Sequence, residues 1–90
     1  MKIYKYPLEV TDEQEVLLPV GYQILDIQLQ EGRPCIWALV DESPIMAKEK
    51  VIIECFGTGH EIKGGPRRYI STIQIHGTGL VFHFFEYTGL

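Results

Sequence analysis

Long apolar runs are missing from this chain, whose longest uninterrupted stretches reach five or six residues, against the roughly 20 a helix needs to cross a bilayer. The first residues also lack the apolar core of a secretory signal, so the expectation is a cytoplasmic protein with no membrane partner. Cysteine is scarce. Cys35 and Cys55 each sit in an apolar, strand-like run, without C-x-x-C spacing or a neighbouring pair of ligands. They read as buried, reduced thiols rather than a disulfide or a metal site. An excess of basic charge is absent too: eight Lys and Arg face twelve Asp and Glu, for a net charge of −4. That balance argues against broad electrostatic capture of nucleic acid or of an anionic membrane, and leaves room only for a local basic patch. Helical periodicity is the last absence, since no stretch sustains apolar residues three and four apart.

What the chain does have is β-branched and aromatic runs broken by Gly and Pro every ten to fifteen residues, the pattern of an all-β protein. Ninety residues, 46% of them hydrophobic, provide for one core and one domain, residues 1–90, and a domain this small often gains stability by pairing with copies of itself. The first run, Lys2 to Tyr6, is followed by Pro7 and belongs at a sheet edge. Residues 9–15 read as a charged loop, with Thr11 and Gln14 spaced to cap one helical turn as an alternative. Residues 15–18 make a short strand closed by Pro19-Val20-Gly21. From Tyr22 to Gln30, Leu25, Ile27 and Leu29 alternate with Asp26, Gln28 and Gln30, which predicts one buried and one wetted face. A turn at Glu31-Gly32-Arg33-Pro34 leads into residues 35–40, apolar on both faces and so expected at the centre of a sheet or against another chain. Residues 42–49, around Pro44, form a loop, and residues 50–56 the next strand. The final hairpin, residues 69–76 and 80–87, turns at Gly77-Thr78-Gly79. Six to seven short antiparallel strands imply a small sandwich or a barrel-like roll.

No catalytic constellation emerges. Ser43 and Ser71 lack a nucleophile elbow, and the cysteines look inert, so the protein is expected not to be an enzyme. His60, His76 and His83 have no acidic or cysteine companion at zinc spacing, and neither metal nor cofactor is expected. His83, opposite in parity to Phe82 and Phe84, calls for a polar network or a subunit interface to satisfy its ring. The segment with most functional promise runs from Gly57 to Tyr69. Its glycines let backbone approach a ligand, Thr58, Gly59 and His60 offer hydrogen bonds, and Lys63, Arg67 and Arg68 bring positive charge beside the ring of Tyr69. Those residue types suit a phosphate or nucleotide, although no helix follows Gly57-x-Gly59 as a dinucleotide or P-loop motif requires; a solvated hairpin loop is the alternative.

Several short motifs recur together: Lys2-Ile3-Tyr4-Lys5-Tyr6, Leu18-Pro19 with Gly21 and Ile24-Leu25, Trp37 to Asp41, Gly57-Thr58-Gly59-His60, Tyr69-Ile70 with Thr72, and Val81-Phe82-His83 with Phe85-Glu86. On these, over nearly its whole length, the chain resembles a family of short bacteriophage and prophage proteins that form a domain of unknown function. The resemblance implies a phage origin, hence the host cytoplasm, and a β-rich fold; it supplies no reaction and no site residues. The leading expectation is a non-enzymatic, homo-oligomeric accessory protein that sequesters a small anionic, nucleotide-like ligand such as a host defence signal, by analogy with other small phage proteins. The alternative is an interaction or structural module that binds a host or virion protein through strand edges. Single-stranded nucleic acid, stacked on Tyr4, Tyr6, Trp37 and Tyr69, ranks last because it needs a basic groove.

Overall fold

The computed structural model describes residues 1–43, 45 and 47–89. Over those residues the chain folds into seven strands and no helix: β1 (Lys2–Pro7), β2 (Glu13–Pro19), β3 (Gln23–Gln30), β4 (Arg33–Val40), β5 (Lys48–Gly57), β6 (Arg67–Gln74) and β7 (Val81–Tyr87). They form two antiparallel sheets, one in the order β1-β4-β3 and the other β2-β5-β7-β6, packed face to face as a sandwich. No helix of the described residues is long and apolar enough to cross a membrane.

The period-two pattern explains the layering. In β4, Ile36, Ala38 and Val40 turn inward and are buried; in β5, Val51, Ile53 and Cys55 do the same; Phe84 of β7 fills the space between them. Leu8, Leu18, Ile27 and Ile73 complete the core. β4 is central in its sheet, as its two apolar faces imply, and its outer face is shielded where Trp37 lies between Lys5 of β1 and Asp26 of β3. β1 is an edge strand, as Pro7 demands.

Three local expectations change. The alternation forecast for Leu25, Ile27 and Leu29 fails at its first member, because the β3–β4 register shifts between Ile24 and Asp26; the extra residue of the bulge throws Leu25 outward, 45% exposed, and Ile24 takes its place against the core. The loop expected over residues 9–15 ends at Asp12, and its alternative, a helical turn at Thr11, does not form. Instead the Gln14 side chain bonds the Glu9 backbone in both directions, Nε2 donating to the carbonyl oxygen at 2.7 Å and Oε1 accepting from the amide at 3.0 Å, and the chain goes straight into β2. Lastly, β5 begins at Lys48, two residues before the position expected; the loop expected around Pro44 falls partly outside the described residues, since 44 and 46 are among those not described.

The sandwich has two lateral ends. At one, β3 and β6, each the last strand of its sheet, approach one another, and Ser71 Oγ donates to the Ile27 carbonyl oxygen across the gap at 2.7 Å. At the other end lie β1 and β2, joined by residues 8–12 as the chain crosses from one sheet to the other.

Candidate functional site

The segment from Gly57 to Tyr69 is divided among three surroundings. Gly57-Thr58-Gly59-His60 is a self-contained turn: the His60 amide donates to the Gly57 carbonyl oxygen at 3.2 Å, and Gly59 holds φ at +87°. The His60 ring lies so close over Gly57 that a Cβ there would sit 2.8 Å from it. Thr58 faces elsewhere. Its hydroxyl is 2.7 Å from His83 Nε2; His83 Nδ1 is 3.0 Å from Thr72 Oγ1, and Thr72 Oγ1 is 2.7 Å from the Tyr69 hydroxyl. The imidazole thus finds the polar network expected of it, and a continuous hydrogen-bonded chain crosses the outer face of the four-stranded sheet from Thr58 to Tyr69.

Arg67 is committed to the scaffold. Its Nε donates to Glu54 Oε1 at 2.8 Å, its NH1 donates to the carbonyl oxygens of Lys63 and Gly65, and its guanidinium lies 5.6 Å from the centroid of the Phe56 ring. Both side chains of the ion pair are nearly enclosed, 13% and 12% exposed. The hydrogen bond to Glu54 raises the Arg67 pKa further above its ordinary value. Arg67 therefore staples the loop of residues 61–66 to β5. The groove it shares with His60 and Lys63 is also lined by Asp12, Glu13, Glu54 and Glu61, so its carboxylates outnumber its cations and the field there disfavours an anion.

Arg68 lies on the opposite side of the sheet, because successive residues of a strand alternate faces. Together with Tyr69 and Ile70 it forms one wall of a groove of about 320 Å³ at the β3/β6 end; Tyr22, Gln23, Ile24 and Leu25 form the other wall, and Glu86 lies between. Two β-bulges meet here, the Ile24/Asp26 shift in β3 and a second register shift between Tyr69 and Ser71 in β6. Each bulge breaks the ladder and bends its strand, and bulges gather where a side chain must be re-aimed. The two bends splay the strands and open the groove.

Glu86 gives the groove its chemistry. It shares the inward parity of Phe84 and Phe82, yet it is an acid and only 7% exposed. The Tyr22 hydroxyl donates to its Oε2. Burial, then the adjoining carboxylate, holds the Tyr22 phenol well above the ordinary tyrosine range, so it stays protonated and keeps donating. Arg68 stands directly opposite Glu86 in the β6–β7 ladder, and among the described residues neither it nor any other cation forms an ion pair with Glu86. One carboxylate oxygen and one guanidinium are thus available to the same groove, whereas the ring of Tyr69, edge-on to Phe85 and bonded to Thr72, lies on the outer face of the sheet.

Of the residues singled out in the sequence, the structure brings Arg68 to this groove with Tyr69 at its margin, sets the side chains of Thr58 and Tyr69 in the hydrogen-bonded chain on the outer face, and leaves Gly59, His60, Lys63 and Arg67 away from it. Tyr22 and Glu86 escaped the sequence reading. The signal for Glu86 was present as an acid in the buried parity of an aromatic strand; that for Tyr22 was not, because its partner is 64 residues away.

A family model described as a domain of unknown function (DUF7352) matches residues 1–89, and the chain belongs to that family. Neither the curated proteins nor the solved structures include a match to it.

Proposed function

Starting from membership of a family that prescribes no reaction, we propose that the protein is a non-catalytic binding module that assembles with copies of itself and captures a small anionic, nucleotide-like ligand in the groove at the β3/β6 end. The observation that carries this reading is the convergence of two bulges, in two different sheets, on a buried carboxylate flanked by an arginine that forms no ion pair among the described residues. Each element has a part in recognition. Arg68 supplies the charge and fork geometry for a phosphate; Tyr22, Ile24 and Ile70 line the groove with apolar surface for a base. Glu86, fixed by Tyr22, accepts a hydrogen bond from an amino or imino group on that base. The volume of about 320 Å³ lies at the small end of ligand pockets, fitting one nucleotide unit and not a long polymer. A phage origin belongs to the same proposal, with a host defence signal in the host cytoplasm as the captured ligand.

Calorimetric titration with cyclic mononucleotides, cyclic dinucleotides and ADP-ribose tests the reading. At least one titrant should release heat, and Arg68→Ala should weaken its binding about 10- to 100-fold, as loss of a charge-assisted hydrogen bond implies, whereas Tyr69→Ala, on the outer face, should leave it nearly unchanged. Absence of heat across the panel with the wild-type chain overturns it. A second reading, an interaction module that binds a host or virion protein along a strand edge, is favoured by the unbulged ladders of β1 and β2. A stoichiometric protein, free of bound metabolite, recovered on affinity purification from infected cells would favour it over ligand capture.

A further inference from the structure

The end of the sandwich away from the groove carries its own signal. β1 and β2 are the terminal strands of their sheets, and a terminal strand presents a row of backbone donors and acceptors with no strand beside them. Natural proteins commonly protect such edges with bulges that twist them out of line. Here β3 and β6 are bulged, whereas β1 pairs with β4 from Lys2 to Pro7, and β2 with β5 from Glu13 to Pro19, without a register shift. Both unbulged edges retain exposed apolar side chains, Ile3 at 57% and Leu17 at 55%. Their charges are of opposite sign. β1 bears Lys2 and Lys5 and no acid; β2 bears Glu13 and Glu15 and no base. Lys2 is in part offset by Glu42, 2.7 Å away, whereas Lys5 donates to the neutral side chain of Gln30 and forms no ion pair among the described residues. Neither Glu13 nor Glu15 forms an ion pair among the described residues.

Like charges placed opposite one another across a ladder are destabilising and unlike charges stabilising. Lys5, Glu13 and Glu15 share the outward parity of their sheets, whereas Lys2 has the inward parity of Val40, so Lys5 facing Glu13 or Glu15 favours β1 against β2, and the two acids disfavour β2 against β2. The two edges are also matched in length, because Pro7 and Pro19 each close off the pairing stretch at one end. Since β1 and β2 occupy the same end of one molecule, in different layers, a two-fold rotation that brings two such ends together sets β1 of each copy beside β2 of the other, twice over. We infer that two copies of this chain join edge to edge in this way, as a closed dimer in which the three-stranded sheet of each copy continues into the four-stranded sheet of the other. A contact repeated by a two-fold axis closes on itself and leaves no terminal edge to propagate. The grooves at the β3/β6 ends lie at the far ends of this dimer, so the inference is independent of what they bind.

Charge reversal tests it, read by native mass spectrometry and sedimentation velocity on the full chain, with circular dichroism to establish that each variant is folded. The wild type should be a dimer. The double variants Lys2→Glu/Lys5→Glu and Glu13→Lys/Glu15→Lys should each dimerise at least tenfold more weakly, and their equimolar mixture should restore a dimer containing one of each. Should a double variant fail to fold, the single variants Lys5→Glu and Glu15→Lys provide the same comparison. A monomeric wild type, variants that dimerise undiminished, folded variants whose mixture remains monomeric, or an open ladder of oligomers would each overturn the inference.

Discussion

The two ends of the sandwich handle the same problem, an exposed strand edge, in opposite ways. At the β3/β6 end both edges are bulged and the sheets are bridged by side chains, Tyr22 to Glu86 and Ser71 to the Ile27 carbonyl. Those edges are bent out of line for another strand, and the bend leaves a groove with a buried acid. At the β1/β2 end both ladders run without a shift and the strands carry opposite charges. Irregularity favours a pocket and regularity favours continuation of a sheet, so one end is suited to a small molecule and the other to another polypeptide. The same division separates two adjacent arginines: Arg67, facing outward, is absorbed into the scaffold by Glu54, and Arg68, facing the groove, remains available.

The sharpest way to break this comparison is to treat the two arginine environments alike. Glu54→Ala removes the carboxylate that holds Arg67 and should lower the urea midpoint clearly, whereas Arg68→Ala should stay within about 0.5 kcal/mol and affect only ligand binding. Equal stability losses would mean that Arg68 is scaffold too. Alkaline pH gives the next largest effect. Burial, and then Asp12 in the loop between β1 and β2, pushes the Cys55 thiol up from 9.0 to about 11. The folded state therefore holds this proton over a range in which the unfolded chain has released it. Stability should be unaffected below pH 9 and fall on the order of 2 kcal/mol as pH rises through about 11; Cys55→Ala, although less stable overall, should lose that pH-dependent component. Tyr22→Phe should cost about 1–3 kcal/mol by leaving Glu86 short of its donor, and should weaken capture in the groove while leaving the β1/β2 dimer intact.

Much of the architecture was legible along the chain. The period-two runs marked β4 to β7 to within two or three residues, Pro7 placed β1 at an edge, and Gly77-Thr78-Gly79 announced the last hairpin. These features are local, being set by side-chain parity and by turn conformations that glycine favours. The candidate site was only half legible. The stretch from Gly57 to Tyr69 read as one basic, glycine-rich loop because linear proximity conceals parity: Arg67 and Arg68 are neighbours in sequence and face opposite sides of a sheet. The misassignment of Leu25 has a related cause, since a bulge reverses the parity of what precedes it and neither Ile24 nor Leu25 betrays its presence.

The amino-acid sequence by itself determined that this is an all-β chain, where its strands run and which of their faces are apolar, because alternation and turn chemistry act between near neighbours. Tertiary structure alone decided that Tyr22 meets Glu86, that two bulges open on one groove, and that a basic and an acidic edge share one end of the molecule. Those outcomes depend on which strands come to lie at the margins of the two sheets, and that is settled by packing between residues far apart in the chain.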